Sequence, residues 1–221
     1  VRILATLAAT GAALATLISP AHAAPAAGPG TTHTLPVRSL LDSLPVNDET
    51  RDGYQRSAFK HWVDADKDGC NTRAEVLIEE AVDAPEITGR CTLTGGIWYS
   101  PYDDTYIQGA RGSDIDHRVP LAETHDSGAG EWTAAEREAY ANDLGDPRSL
   151  IAVTARSNRS KADQDPATWM PPSEANRCEY FTYWVVVKGR WRMAIDPAEQ
   201  TALQALADEC PNEPVTYETA R

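Results

Sequence analysis

Positive charge is what this 221-residue chain has least of: 20 Lys+Arg face 33 Asp+Glu, a formal net charge of −13 at pH 7. So acidic a chain cannot gather a polyanion by general attraction; such a partner must be met at a local basic patch or through a metal. Only four of the cations are lysines, so a patch would be built from arginine, the planar, bidentate binder of phosphate. Long apolar runs are missing beyond residues 1–23, so no later segment is fit to span a bilayer. The four cysteines contain no C-x-x-C pair and no histidine lies near a pair, which argues against structural zinc. No internal repeat is visible. What the chain does have is 42% hydrophobic residues with six Trp and eight Tyr, enough for one ordinary globular core and against disorder along its length.

Residues 1–23 place Arg2 before an apolar stretch, Ile3 to Ile18, and end in the small-x-small triplet Ala21-His22-Ala23. That pattern is expected of a signal peptide, with the mature chain starting at Ala24; Gly11, Ser19 and Pro20 leave the stretch short of the roughly 20 residues a spanning helix needs. The expectation is a secreted, extracellular protein without a membrane anchor. In an oxidising compartment Cys70, Cys91, Cys178 and Cys210 should form two disulfides. Of three connectivities, Cys70–Cys91 with Cys178–Cys210 is favoured because it keeps each bridge local.

Residues 24–36 are rich in Ala, Pro, Gly and Thr and read as a disordered leader, 37–210 as the folded domain and 211–221 as a C-terminal tail. Apolar spacing predicts helices over Leu35–Leu44, Tyr54–Val63 and Arg73–Val82, and Cys91–Tyr99 reads as a hairpin around Gly95-Gly96. Strands are predicted at Ile115–Leu121 and Leu150–Thr154. Between them Thr133–Ala141 is a helix with Thr133 as N-cap and Glu136 completing a capping box. Ser173–Val187 and Pro197–Cys210 read as helices, although Tyr183–Val187 suits a strand equally. The fold class expected is α+β, mainly helical, in a single domain.

Two segments carry chemistry. Asp114-Ile115-Asp116-His117-Arg118-Val119-Pro120-Leu121 is a strand ending in a carboxylate beside an imidazole. Ser149-Leu150-Ile151-Ala152-Val153 is a strand feeding a helix that holds Asn158 and the cations Arg156, Arg159 and Lys161. A carboxylate and an amide oxygen are hard ligands suited to Mg²⁺ or Mn²⁺. A neutral imidazole beside them can take a proton from water, and the cations can neutralise a phosphoryl group. Together these parts specify metal-assisted phosphodiester hydrolysis.

The arrangement resembles the HNH, or ββα-metal, nucleases, and more narrowly the secreted bacterial HNH proteins grouped with the DUF1524 domain. The likeness is carried by Asp114 to Leu121, Ser127-Gly128-Ala129, Asn158 to Asp163 and Asp165-Pro166-Ala167-Thr168-Trp169-Met170-Pro171-Pro172. It implies a small ββα-metal core, His117 as general base, Asp116 and Asn158 on the metal, and Arg159 in the catalytic set. Arg73, Arg156 and Lys161 are the expected phosphate contacts. Ser149 stands where the family has an Asn that orients the base; Asp114 or a backbone carbonyl are the alternatives for that task. His125 reads as a loop residue, and His61 as helix surface beside a core Trp62.

A second motif, Asp64 to Glu75, fits D-x-D-x-D-G-x₅-E. Asp64, Asp66 and Asp68 would be ligands one, three and five of a structural Ca²⁺, with a carbonyl at Cys70, then Thr72 and a bidentate Glu75. The position usually apolar is Asn71, and the loop is unpaired. The family's C-x-T-R-x-E-V-L pattern, met here from Cys70 to Leu77, offers Arg73 or Glu75 to the active site instead. The leading expectation is therefore a monomeric, secreted endonuclease acting on DNA, with RNA a second candidate, and with little sequence specificity. The rivals are a non-enzymatic calcium-binding module and a metal-dependent hydrolase of another ester.

Overall fold

Local capping and apolar spacing set most helix boundaries in the computed structural model, which describes residues 29–221. The signal peptide, the cleavage point and residues 24–28 of the leader lie outside the described residues. The chain opens with β1 (Thr32–Pro36) and α1 (Val37–Ser43), passes a 3₁₀ turn at Arg56–Ala58 and enters α2 (Thr72–Glu79). Short strands follow: β2 (Ala81–Asp83), β3 (Glu86–Thr88), β4 (Thr92–Thr94), β5 (Ile97–Ser100) and β6 (Thr105–Gln108). The middle of the chain forms β7 (Ser113–His117), α3 (Leu121–Asp126), α4 (Ala134–Ala141), β8 (Leu150–Thr154) and α5 (Ala155–Lys161). It closes with α6 (Arg177–Trp191), α7 (Pro197–Glu209) and β9 (Pro214–Glu218). The sheets are small and antiparallel: β1–β9, β2–β5–β6, β3–β4 and β7–β8. The α+β class with a preponderance of helix is as expected. Among the described residues no helix is long and apolar enough to cross a membrane.

The main core is organised by α6, which buries Tyr180, Phe181, Trp184, Val185, Val186, Val187 and Trp191. A helix apolar on so many sides must be covered on several, and α1 and α7 supply Leu40, Leu41, Leu203 and Ala207. Close approach of α1 needs Gly189, since a Cβ there would stand 2.8 Å from a Leu40 methyl. A smaller core joins α2 to the central strands through Val76, Leu77, Trp98, Ile107, Ile115 and Leu150. The helix at Ala134–Ala141 carries the expected Thr133–Glu136 capping box. Both disulfides pair as expected, Cys70–Cys91 and Cys178–Cys210. The second staples the start of α6 to the residue after α7, and a bridge closing a loop of this size contributes about 3 kcal/mol.

α6 also buries a cation. Lys188 is fully enclosed and its Nζ donates to Glu123 at 2.7 Å, Ser127 Oγ at 2.6 Å, Glu199 at 3.0 Å and the Ala194 carbonyl. Its two carboxylates hold the ammonium charged despite burial, so α3 and α7 are locked onto α6 by charge as well as packing.

Several boundaries differ from expectation. Residues 32–36, assigned to the disordered leader, form β1, and residues 214–218 of the supposed tail form β9, in register from Thr32↔Glu218 to Pro36↔Pro214. Each strand is too short and polar to declare itself; together they satisfy each other's backbone groups and stack His33 on Tyr217 at 5.2 Å. Tyr54–Val63 is not a helix beyond the turn at Arg56–Ala58, because Asn142 draws Lys60 and Val63 out of helical geometry and Trp62 sits at φ 60°. Gly95-Gly96 is not a hairpin turn but the joint between β4 and β5, which belong to different sheets; the hairpin turns at Gly89–Cys91. The strand begun before Ile115 ends at His117, and Leu121 starts α3 after Pro120. Tyr183–Val187 is helical.

Glu80, just beyond α2, accepts the Ala152 N–H at 2.6 Å, and burial pushes its carboxyl from an ordinary 4.5 up to about 7. Between those values the folded state binds more protons than the unfolded chain, so the contribution of Glu80 is full below pH 4 and is lost as pH rises towards 7. Glu80→Gln keeps an oxygen for Ala152 and removes the titration. Its stability relative to wild type should rise between pH 4.5 and pH 8 by on the order of 2–3 kcal/mol in urea unfolding. An equal difference at both pH values would contradict the raised carboxyl.

Candidate active site

The β7–β8 hairpin and α5 are built by alternation. In β7, Asp114 and Asp116 share a face, and that face meets residues one helical turn apart on α5. Asn158 Nδ2 donates to Asp114 at 3.1 Å, and Lys161 Nζ reaches Asp116 Oδ1 at 3.0 Å and Oδ2 at 2.7 Å. The same ammonium donates to the His117 carbonyl at 2.9 Å. Thr154 caps the start of α5 by accepting the Ser157 N–H, so the helix begins immediately where β8 ends. The 165–172 motif packs behind this arrangement: Trp169 meets the Tyr102 ring at 5.3 Å, and the Tyr102 hydroxyl donates to Asp116 at 2.7 Å.

A cleft of about 160 Å³ opens here, lined by Arg56, Asp116, His117, Asn158 and Asp163. His117 is only 5% exposed. Its ring lies between Trp62, stacked at 5.5 Å, and Tyr140, stacked at 6.1 Å, with the edge of His61 at 6.4 Å. Nε2 is 3.0 Å from the carbonyl of Ala141. A carbonyl only accepts, so Nε2 carries the proton and Nδ1 is left with its lone pair. Burial, with Arg56, His61 and Lys161 nearby, pushes the ring down to about 3, so the imidazole is neutral at neutral pH. Ala141 ends α4, where carbonyls lack helical partners; orienting the imidazole uses one of them. The next residue, Asn142, holds the neighbouring loop by donating to the Lys60 carbonyl at 2.8 Å and accepting the Val63 N–H at 3.0 Å.

Residues 71–206 match the family described as GmrSD restriction endonucleases, C-terminal domain. The chain belongs to that family. The region shared with GmrSD C-terminal domains runs from the N-cap of α2 into α7, so the hairpin, α5 and both ends of the Lys188 network lie inside it. An uncharacterized secreted protein from Arthroderma benhamiae is 40% identical over 174 residues, covering 78% of this chain and 84% of that protein. No solved structure matches.

Within this GmrSD C-terminal domain, the fold brings Asp116, His117 and Asn158 to one cleft and places none of the other expected catalytic and phosphate-binding residues in its lining. Ser149 does not orient His117: its hydroxyl donates to Asp143 at 2.7 Å, inside the structure. Lys161 is not a phosphate contact, because it is fully buried in its pair with Asp116. Arg73 donates through Nη2 to the carbonyls of Ala110 and Ser113 and so anchors the start of β7. Arg156 lines a separate groove with Asp103, Asp104 and Trp169, and Arg159 is exposed on α5 outside the residues that line the cleft. The orienting group is a backbone carbonyl, the alternative to Ser149, and it belongs to Ala141; Arg56, Trp62 and Tyr102 complete the surroundings without a motif of their own. His61-Trp62 has the spacing of a helix face, and no local pattern links it to His117.

The donor set at the cleft suits a hard divalent ion. An ionised carboxylate has about four lone-pair sites; Lys161 and Tyr102 take three on Asp116, and Asn158 retains its carbonyl oxygen while its amide serves Asp114. In the other loop, carboxylate oxygens of Asp64, Asp66 and Asp68 lie within 4.8 Å of one another, and Asp64 Oδ1 is buried without a partner. Burial and those three aspartates raise the Glu75 carboxyl. Thr72 departs from the expected ligand set, since its hydroxyl is buried against Val63 O at 2.9 Å and Asn142 Oδ1 at 2.8 Å.

Lys161→Gln leaves Asp116 buried without its cation. Removing one partner of a buried pair costs about 3–5 kcal/mol, and urea unfolding should show a loss in that range. The salt dependence of nucleic-acid affinity should be unchanged, because the ammonium meets no solvent; a shallower salt slope would return Lys161 to the phosphate contacts.

Proposed function

We propose that this protein is a secreted, metal-dependent endonuclease of HNH type that hydrolyses phosphodiester bonds of DNA with little sequence specificity. The observation that carries the reading is His117: a neutral imidazole with Nε2 tied to a carbonyl and Nδ1 open, in one cleft with Asp116 and Asn158. Membership of a restriction-endonuclease domain family supports the nuclease class. The hairpin-and-helix arrangement of β7, β8 and α5 supports the HNH type. Secretion is supported by the pattern of residues 1–23, two disulfides and the name of the fungal relative.

In this mechanism His117 Nδ1 accepts a proton from water as the water oxygen attacks phosphorus. The Ala141 carbonyl strengthens as a partner to Nε2–H when the ring becomes cationic, and Trp62 and Tyr140 keep the ring in one plane throughout. Asp116 and Asn158 would hold Mg²⁺ or Mn²⁺, which would supply charge neutralisation at the departing 3′ oxygen. As the water oxygen bonds to phosphorus the P–O3′ bond breaks, the 3′ oxygen takes a proton from solvent, and the products are a 5′-phosphate and a 3′-hydroxyl. Asp64, Asp66, Asp68 and Glu75, with the Cys70 carbonyl, are assigned to a structural Ca²⁺, supported by the convergence of the three aspartates.

Purified wild type should nick plasmid DNA with Mg²⁺ and stop with EDTA. His117→Ala should lose about 10²–10⁴-fold in rate while keeping its circular dichroism. A folded variant within tenfold of wild type would remove His117 from the chemistry. Calcium should raise the melting temperature, and the double substitution Asp64→Ala, Asp66→Ala should abolish that rise while Mg²⁺-dependent cleavage persists. An unchanged calcium shift would sink the loop as a site.

A further inference from the structure

With Asp116 committed to the proposed metal, Asp163 and a body of charge −13 leave the cleft in need of a side-chain cation for its substrate. The cations that sequence spacing offered are engaged or placed elsewhere: Lys161 in its buried pair, Arg73 on two carbonyls, Arg156 in another groove, Arg159 on outer α5. Two further arginines near the site are also committed. Arg51 pairs with Asp126 and reaches Asp163 at 3.6 Å. Arg118 is buried over the rings of Tyr102, Tyr180 and Tyr183 at 5.1–5.7 Å.

Arg56 is different. Among the described residues it is the one Lys or Arg lining the cleft with His117, it is exposed, and it makes no ion pair. Its polar neighbour is the Tyr54 hydroxyl, and a guanidinium has five N–H donors to distribute. Its placement is also held. The 3₁₀ turn that carries it is followed by Phe59, 1% exposed, and then by Lys60 and Val63 in the grip of Asn142. His117 hangs on Ala141, the residue before Asn142. Cation and base are thus referred to the same end of α4.

We propose that Arg56 is a catalytic residue that binds the non-bridging oxygens of the phosphodiester addressed by His117. The inference rests on the nuclease reading above. A planar fork matches two phosphate oxygens at once, and a donor held in place stabilises the charge that builds on them as water adds. The residue lies upstream of residues 71–206, so the segment before the shared family region completes the site.

The test uses the full-length mature protein as wild type, Arg56→Ala and Arg56→Lys, with Arg159→Ala for comparison. Cleavage kinetics are read with Mg²⁺ and duplex affinity with Ca²⁺ at several salt concentrations. Arg56→Ala should lose about 10²-fold in kcat/KM at unchanged melting temperature, and its log–log salt slope should fall by about one. Arg56→Lys should keep the slope, losing rate because the fork is gone; if Arg56→Ala does not fold, this variant carries the comparison. Arg56→Ala within threefold of an active wild type, or Arg56→Lys equal to wild type where the alanine variant does not fold, overturns this proposal alone. A wild type that cleaves no nucleic acid overturns it together with the nuclease reading.

Discussion

Arg190 Nε and Nη2 each stand 2.8 Å from the Asp143 carboxylate, which also accepts Trp191 Nε1 at 2.8 Å and the Ser149 hydroxyl. This buried fork fastens the residues just after α4 to the end of α6, the helix around which the main core is organised. Much of the cleft follows from that attachment. Asn142, one residue earlier, sets the loop that lays Trp62 on His117, and Ala141, one earlier again, orients the imidazole. A helix end is well suited to the task, since its last carbonyls and the residues after it are free to bind outward. Breaking a paired, hydrogen-bonded buried charge costs about 3–5 kcal/mol, so this end of α4 is a stiff reference point rather than a hinge.

Scarcity of cations shapes the electrostatics. Lys161, Lys188 and Arg118 are enclosed, each serving to join elements rather than to face solvent. Lys161 docks α5 on the hairpin, and Lys188 joins α3, α6 and α7. Spending positive charge inside an already acidic protein leaves few cations at the surface of the cleft. On the proposed nuclease reading a substrate phosphate is then met by geometry at one or two points, a different solution from the broad basic face of many nucleic-acid binders.

Expectation and structure part company in a consistent way. Asn158 and Lys161 share the face of α5 that meets β7, because three residues make nearly one turn. That shared face comes from the structure and not from the motif; Lys161, expected as a phosphate contact, is enclosed because α5 lies so close to Asp116. Ser149 occupies the position expected of an orienting group, yet the bend after α4 brings Asp143 to its hydroxyl and a backbone carbonyl to His117. A carbonyl has no residue type and leaves no mark in a sequence.

Alone, the sequence determined the features whose causes lie within a turn or two of chain: the capping box at Thr133, most of the amphipathic helices, the strand ending at Thr154, and the Asp-His and Asn-x-x-Lys pairs at fixed offsets. Local separation also favoured the right disulfides. Tertiary structure decided everything that depends on partners far apart: the pairing of β1 with β9, the Trp62–His117–Tyr140 stack, the burial of Lys161 and the arrival of Arg56 at the cleft. The physical reason is range. Periodicity and capping record the geometry of one element, whereas burial and the partner of a hydrogen bond are set only when elements separated by tens of residues pack together.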